Sequence, residues 1–500
     1  MDPLFEIELD LPAKGSRDAA RSLFEQLKAA IGDGRLVAGA KLPPTRKSAA
    51  FFGVSRNTAS EIYDRLLHEG YVVTRHGAGT YVAASLPAQA RARAPVREAG
   101  PPDPRLNPFW LREDVTRAMG FWRDAVMRPQ PARAKTAVID FRPALVDSRL
   151  FPFDVFRRVS AKQLRGLERK PASFKSPQGN QGNYHLRAAI GKHIALTRAV
   201  VCAPDDVLVT AGAQQAFDLI ARTLVTPGET VVAIEDPGYP PMRVPFAAAG
   251  AKLVPIRIDD EGLVVDALPR NTRIICVCPS HQFPLGVTMS PRRRRALIEF
   301  ARQHDAVIVE DDYDGEFRFG TGALEALRTA DAADVVFYVG TFSKCMLPSL
   351  RLGFVVAPPW AQRTLIAAKN SLDWHCPVPV QLGVAAFIAE GHLTHHVRKM
   401  RAIYQRRRQL LLRALDEDFA RRLAPIPSHY GMHITATARG DIKLDAIADH
   451  VLERQVKLHS LDRYYFGAAD RQGLVFGCGA ADLPEMRRGL AALREAFEKT

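Results

Sequence analysis

The apolar positions of this 500-residue chain change period along its length. Near the start, Ala20, Leu23, Phe24, Leu27 and Ile31 recur every three or four residues. This predicts a helix over 17–31, capped by Ser16 and stopped by Gly32-Asp33-Gly34. Leu42-Pro43-Pro44 ends a loop rigidly, and Thr45 is placed to cap a short second helix over 46–52. After the turn Gly53-Val54-Ser55, Ser55 caps a third helix over 56–69, with Ala59, Ile62, Leu66 and Leu67 inward. The chain then changes to two short strands, 71–75 and 80–83, around His76-Gly77-Ala78-Gly79, which reads as a hairpin. Two helices, a third after a glycine turn, and a hairpin make a winged helix-turn-helix.

The pattern changes again beyond residue 137. Continuous apolar runs (Val207-Leu208-Val209, Val231-Val232-Ala233-Ile234, Ile274-Ile275-Cys276-Val277, Val307-Ile308-Val309 and Val335-Val336-Phe337-Tyr338-Val339) alternate with helical stretches. Such runs predict an α/β fold whose mainly parallel sheet is buried on both faces, with ligands at the carboxyl ends of its strands. Between the two patterned regions, residues 87–104 are rich in Pro, Ala and Arg, a linker composition. A helix over 109–127 is predicted there, with Trp110, Val115, Met119, Trp122 and Val126 apolar, so part of the linker should dock on a surface. The expected domains are 1–85, a linker over 86–136, and 137–500.

Composition sharpens two points. A formal net charge of +15 and a pI near 9.7 favour a polyanionic partner. The third helix opens with Ser55-Arg56-Asn57-Thr58, where a recognition helix meets base edges and phosphates; Arg46 and Lys47 open the second, and Arg75 flanks the wing. No run of about 18 apolar residues suits a membrane span, and the N-terminus lacks the pattern of a secretory signal, so the cytoplasm is expected. Six cysteines form no disulfide framework or zinc pattern, and no metal site is expected. Arg292 to Arg295, His395-His396 and the arginines at 401 and 406–408 read as solvated helix faces.

The strand ends carry chemistry. Lys344 follows the fifth run, between Thr341 and Ser343 on one side and Arg351 on the other. A lysine amine can form a Schiff base with an aldehyde while the hydroxyls and the guanidinium hold a phosphate, a combination that describes pyridoxal 5'-phosphate (PLP). After the first run, Gly212, Ala213 and Gln214 open a helix whose backbone N–H groups can seat a phosphate. Tyr239, after the second, can present a face to a planar ring. Asp311 can face a pyridinium nitrogen, with Tyr313 reaching the ring hydroxyl.

These residues and their order resemble two families joined in one chain. The first 85 residues resemble a GntR-type DNA-binding domain, and residues 137–500 resemble the fold type I aminotransferases. Together the chain is similar to the MocR subfamily of GntR-type regulators. The resemblance implies that Arg46, Ser55, Arg56, Asn57 and Thr58 touch DNA, with the wing at Gly77 to Gly79 near the minor groove. It also implies Lys344 as the Schiff-base lysine, Asp311 at the pyridine nitrogen, Tyr313 at its hydroxyl and Tyr239 stacked on the ring. Gly212, Ala213, Gln214, Thr341, Ser343 and Arg351 would surround the phosphate. A homodimer and an effector, either an amine, an amino acid or PLP itself, are implied as well.

The chain departs from the aminotransferase pattern twice. Phe283-Pro284-Leu285-Gly286, after His281-Gln282, stands where Asn-Pro-x-Gly is expected. The C-terminal run Gly473-Leu474-Val475-Phe476-Gly477 lacks the arginine that clamps a substrate carboxylate, leaving Arg243, Arg439, Arg463 and the nearby Arg471 to consider. The reading is a PLP-dependent DNA-binding transcriptional regulator. Two alternatives stand beside it: an active aminotransferase with an accessory DNA-binding head, and a DNA-binding protein whose second domain is only a dimerisation scaffold.

Overall fold

The computed structural model describes residues 4, 19–75, 78–84, 104–121, 138–169, 180–319, 325–440 and 442–499. The chain divides into two compact units, Met1–Leu106 and Asn107–Thr500. The expected cap at Ser16, the wing residues His76 and Gly77, and Trp122 and Val126 of the linker lie outside the described residues.

The first unit contains helices α1 (Ala19–Gly32), α2 (Thr45–Phe52) and α3 (Arg56–His68), then strands β1 (Val72–Arg75) and β2 (Gly79–Val82). The strands pair antiparallel, Val72 opposite Val82. Leu23, Phe24, Leu27, Ile31, Ile62, Tyr63 and Leu66 form its core. Two expectations need correcting. Pro44, not Thr45, is the N-cap of α2, because its fixed φ of −57° already sets the entry angle and Thr45 falls inside the first turn. Leu67 is exposed and Tyr63 takes the inward place, since 59, 62, 63 and 66 lie on one helical stripe and 67 turns out of it. Tyr63 donates its hydroxyl to the Pro43 carbonyl at 3.0 Å and lies 2.8 Å from Ser48 Oγ, tying α3 to the entry of α2.

The second unit begins with helix α4 (Glu113–Met119), preceded by a 3-10 turn, Pro108–Leu111, where one longer helix was expected. Its main sheet has eight strands: β3 (Val207–Thr210), β4 (Val231–Asp236), β5 (Lys252–Asp259), β6 (Gly262–Leu263), β7 (Thr272–Val277), β8 (Val307–Asp312), β9 (Val336–Thr341) and β10 (Gly353–Val356). Their order is β3-β10-β9-β8-β7-β4-β5-β6. Neighbours from β9 to β5 run parallel, whereas β10 is antiparallel to both β9 and β3. The pleat sends Phe337 and Val339 of β9 into one apolar layer and Tyr338 into the other. Both faces are therefore covered, as the continuous apolar runs require. A second, antiparallel sheet, β11 (Leu423–Pro425), β12 (His433–Ala438), β13 (His459–Ser460) and β14 (Gly473–Gly477), packs near the C-terminus in the order β11-β12-β14-β13.

Within the charged runs expected to be solvated, Arg293, His396, Arg407 and Arg408 are buried and Arg294 half-buried, while Arg292, Arg295, His395 and Arg406 are exposed. Arg293 donates to the Leu263 carbonyl and pairs with Asp259 at 2.9 Å, and Arg294 donates to the carbonyls of Pro279, Met289 and Glu325. Arg407 bridges Asp147 and the Gly479 carbonyl at 2.7 Å each, while Arg408 donates to the carbonyls of His433 and Ser428. His396 is buried edge-on to Phe151. These side chains brace loops that meet far from them in sequence.

Candidate cofactor site

The carboxyl ends of β3, β4, β8 and β9 open on one cavity of about 480 Å³. Ala213, Gln214, Tyr239, Asp311, Tyr313, Thr341, Ser343, Lys344 and Arg351 line it, joined by Ala144, Leu145, Phe283, Pro348 and Ser349. Helix α5 (Ala213–Leu224) starts at its edge.

Three adjacent carboxylates end β8, and the pleat sorts them. Glu310 accepts from the backbone N–H groups of Leu327 and Arg328. Asp312, on the same face, accepts from Arg198 Nε at 2.5 Å and from the Tyr338 hydroxyl at 2.6 Å. Asp311 points to the other face, into the cavity, and is 5% exposed. Its Oδ2 has only a 3.9 Å contact with Cys278 Sγ, and its Oδ1 is buried without a hydrogen-bond partner in the protein. Burial, followed by repulsion from Asp312 and Asp314, pushes its pKa up to about 8. Such a carboxylate is completed by a proton donor from a ligand.

Lys344 closes the same cavity. Its Nζ donates to the Ala144 carbonyl at 2.5 Å. Burial lowers its pKa to about 8 against the opposing pull of Asp314 and Asp311. A lysine so tuned is a better nucleophile near neutral pH than a solvated one.

At the other end, Arg351 takes a left-handed conformation with φ 47° and donates to the Ala211 carbonyl at 3.2 Å. Gly212, at φ 80°, lies beneath this guanidinium, and a Cβ there would meet it at 3.1 Å. Glycine thus lets the cation approach the start of α5. Thr341 Oγ1 donates to Ser343 Oγ at 3.0 Å and accepts from the Ser343 N–H at 3.1 Å. A cation, two hydroxyls and a helix start form a seat for a phosphate.

Tyr239 and Phe283 form an aromatic wall, ring centroids 5.7 Å apart, edge to face. The Tyr313 hydroxyl donates to the His281 carbonyl at 3.1 Å and lies 2.9 Å from His281 Nδ1, which is itself 3.0 Å from Asp314 Oδ2. Gln282 turns away from the cavity toward Glu235, the Pro237 carbonyl and the Leu285 N–H. Phe283, rather than His281 or Gln282, occupies the wall. A planar ring with a basic nitrogen, an aldehyde and a phosphate fits this set: a buried carboxylate with one oxygen unpartnered, a lysine of lowered pKa, aromatic and apolar walls, and the phosphate seat.

The four arginines considered as clamps do not line the cavity. The Arg243 guanidinium lies 4.9 Å from the Phe466 ring, and Arg471 donates to the Ile258 carbonyl. All five residues of β14 are buried, and none is basic. Among the described residues, Arg351 is the only guanidinium on the cavity wall.

In the first unit, Ser55 caps α3, accepting from the Thr58 N–H at 3.0 Å, and its Oγ lies 2.9 Å from Thr58 Oγ1. Arg46, Ser55, Arg56, Asn57, Arg75 and Gly79 are exposed and Thr58 is half-buried. The Arg75 guanidinium lies 4.6 Å from the Tyr81 ring centroid.

Residues absent from the sequence reading share one trait. Ala144, with φ 57°, contributes a backbone carbonyl, and Leu145, Pro348 and Ser349 contribute shape, neither of which residue type announces.

Comparison with known proteins agrees with both units. Residues 19–82 match the gntR family of bacterial regulatory proteins, and residues 149–479 match aminotransferase class I and II. The chain is 34% identical to the probable rhizopine catabolism regulatory protein MocR of Rhizobium meliloti, over 95% of this chain and 93% of that protein. It is 30% identical to the pyridoxine biosynthesis transcriptional regulator PdxR of Corynebacterium glutamicum, over 95% of each. Among solved structures, a Pyrococcus horikoshii kynurenine aminotransferase matches 73% of this chain and 92% of its own, with 26% identity and a TM-score of 0.67.

Proposed function

The chain belongs to the MocR-type regulators, a GntR-family DNA-binding unit joined to an aminotransferase class I and II unit, and from that premise we propose how its parts divide the work. It is a DNA-binding transcriptional regulator that binds pyridoxal phosphate. The observation that carries the reading is the juxtaposition in one cavity of Lys344 and Asp311, whose buried Oδ1 has no protein partner, in a chain that also holds a winged helix-turn-helix.

In this reading Lys344 holds the cofactor's aldehyde carbon, and Asp311 holds a proton on the pyridine nitrogen. Tyr313, oriented by His281, meets the ring hydroxyl, and Tyr239 covers a ring face. Gly212, Ala213, Gln214, Thr341, Ser343 and Arg351 hold the phosphate. When bound, the group supplies an electron sink for an attached amine. Arg46, Ser55, Arg56, Asn57, Thr58, Arg75, Gly77 and Gly79 meet DNA, the α3 start at base edges and the rest at the backbone. The three parts are a head over 1–85, a linker over 86–136 and a sensor over 137–500.

The effector is an amine or amino acid that competes with the Lys344 amine, or PLP itself. The relatives' names point to different signals, rhizopine catabolism in one and pyridoxine biosynthesis in another, so the effector is proposed as a class. The chain works as a homodimer on a two-part DNA site in the cytoplasm. Exposed Phe153, Tyr184 and Trp374 on the second unit supply apolar surface for a second copy. No helix among the described residues is long and apolar enough to cross a membrane.

A titration of the PLP-loaded full chain with a series of amines tests the reading, following visible absorbance and DNA affinity together. An active amine should move both with one midpoint. A spectral change with no change in DNA affinity across the whole series, and none on PLP loading itself, would overturn it.

A further inference from the structure

The end of the linker segment packs behind the wall of the cofactor cavity. Phe121 is 3% exposed. Its ring lies edge to face against Tyr239 at 6.0 Å, His459 at 5.3 Å and Tyr464 at 5.4 Å between centroids. Tyr239 and Phe283 line the cavity, and Phe283 also packs edge-on against Tyr464 at 5.3 Å. A single layer of aromatic rings therefore separates Phe121 from the cavity.

A second contact reaches the same element. Tyr239 is the N-cap of helix α6 (Pro240–Ala248). Val115 and Ala118 of α4 are buried against Val244 of this helix, with Phe109 beside them. Next to Val244, Arg243 shares a surface pocket with Asp114 of α4 and lies in the fields of Asp236, Asp114 and the opposing Arg117. The linker segment thus packs against one short helix at both its N-cap and its middle. Gln214, from the phosphate side, donates to the Pro241 carbonyl at 3.0 Å and reaches that helix as well.

We propose that the segment Pro108–Phe121 is the sensor's output element: Phe121 reads the position of Tyr239, and α4 follows helix α6, so that filling the cavity changes how firmly the linker is held. The proposal rests on the regulator reading above. Its physical basis is close packing. A ring seated against Tyr239 displaces or fixes that side chain, and the interior behind it has no slack to absorb the change. A ligand that contacts Tyr239 then has different affinities for the docked and loosened linker, which is what coupling requires. From Phe121 the covalent chain leads back through the linker to the DNA-binding unit.

The test is amide hydrogen exchange by mass spectrometry on the full-length chain, with and without PLP. It is read at peptides covering residues 107–121, beside DNA affinity by fluorescence anisotropy. In the wild type PLP should slow exchange over 113–121 by about fivefold or more and change DNA affinity by a similar factor. Phe121→Ala, and Phe121→Leu that keeps the socket filled, should load PLP with the wild-type visible band yet hold DNA affinity within about twofold on PLP addition. A full DNA response in either variant overturns the proposal. So does wild-type exchange over 113–121 that ignores PLP, a result that needs no variant to fold. If the wild type shows no visible PLP band or no DNA binding, the regulator reading has failed, and the proposal with it. If both are present and only the linker is silent, the regulator reading stands and the role of Phe121 does not.

Discussion

Tyr338 donates its hydroxyl proton to Asp312 at 2.6 Å, on the face of β8 turned away from the cavity that Asp311 lines. Arg198 donates to the same oxygen, so Asp312 is spent on tying β8 to β9 and to Arg198. Asp311, one residue earlier and on the opposite face of the pleat, is left with an oxygen that the protein does not satisfy. Two residues identical in charge and nearly in position have different work because a strand alternates its sides.

The two aspartates should therefore fail differently. Asp311→Asn should weaken PLP retention by roughly 10- to 100-fold, the value of a hydrogen bond to a charged group, with thermal stability unchanged or raised. Asp312→Asn should cost about 3–5 kcal/mol of stability, because it leaves the Arg198 guanidinium buried without its counter-charge. Equilibrium dialysis and urea denaturation separate the two. Similar retention in both variants would mean that Asp311 does not hold the ring nitrogen.

Loading with PLP should depend on pH through Lys344. The lysine pKa is lowered to about 8, so the neutral amine, the form that attacks an aldehyde, appears as pH rises through about 8 instead of about 10.5. Roughly a tenth of the amine is neutral at pH 7, against about three in ten thousand for an unperturbed lysine. The rate at which the visible band grows after mixing PLP with PLP-free protein should rise about tenfold per pH unit below that point and level off above it. A rate still climbing at pH 10 would show that Lys344 is not desolvated.

The elements that supply the site were legible because their signals are local. An apolar run marks each strand whatever surrounds it; Asp311 falls at the end of one such run and Lys344 just past another, with Arg351 in the loop that follows. The same holds for Ser55, whose capping role depends only on the next three residues. What could not be read depends on distant partners. Arg407 and Arg293 look solvated until Asp147 and Asp259 are brought to them by the fold. Phe121 is not among the apolar positions of the helix expected over 109–127, and its burial needs Tyr239 from one part of the chain and His459 and Tyr464 from another.

The arginine run at the start of helix Pro291–Gln303 offers a test of that distinction. Arg293→Gln should destabilise the second unit by about 1–3 kcal/mol, since the Leu263 carbonyl loses its buried donor and Asp259 a partner. Arg295→Gln, on the exposed side, should change stability by less than about 0.5 kcal/mol. Differential scanning calorimetry of the two variants reads this directly. Equal, negligible effects would return the whole run to the solvated class.

DNA contacts and helix architecture separate at the start of α3. Arg56 is exposed, and its loss should weaken operator binding by about 1–3 kcal/mol if it reads a base, or lower the salt slope by about one if it neutralises a phosphate. Either outcome leaves the PLP band untouched, because the cavity is built wholly within the second unit. Ser55→Ala acts through another route. Removing the oxygen that accepts from the Thr58 N–H should cost about 1 kcal/mol of stability in the first unit and loosen the turn that presents Arg56 and Asn57. Ser55→Asp restores an acceptor at that position and should recover stability, yet it places a negative charge where a phosphate is expected and should bind DNA more weakly than Ser55→Ala. Anisotropy titrations at two salt concentrations, set beside thermal melts, distinguish the cases. If Ser55→Asp bound DNA as tightly as the wild type, the start of α3 would not lie against the DNA backbone.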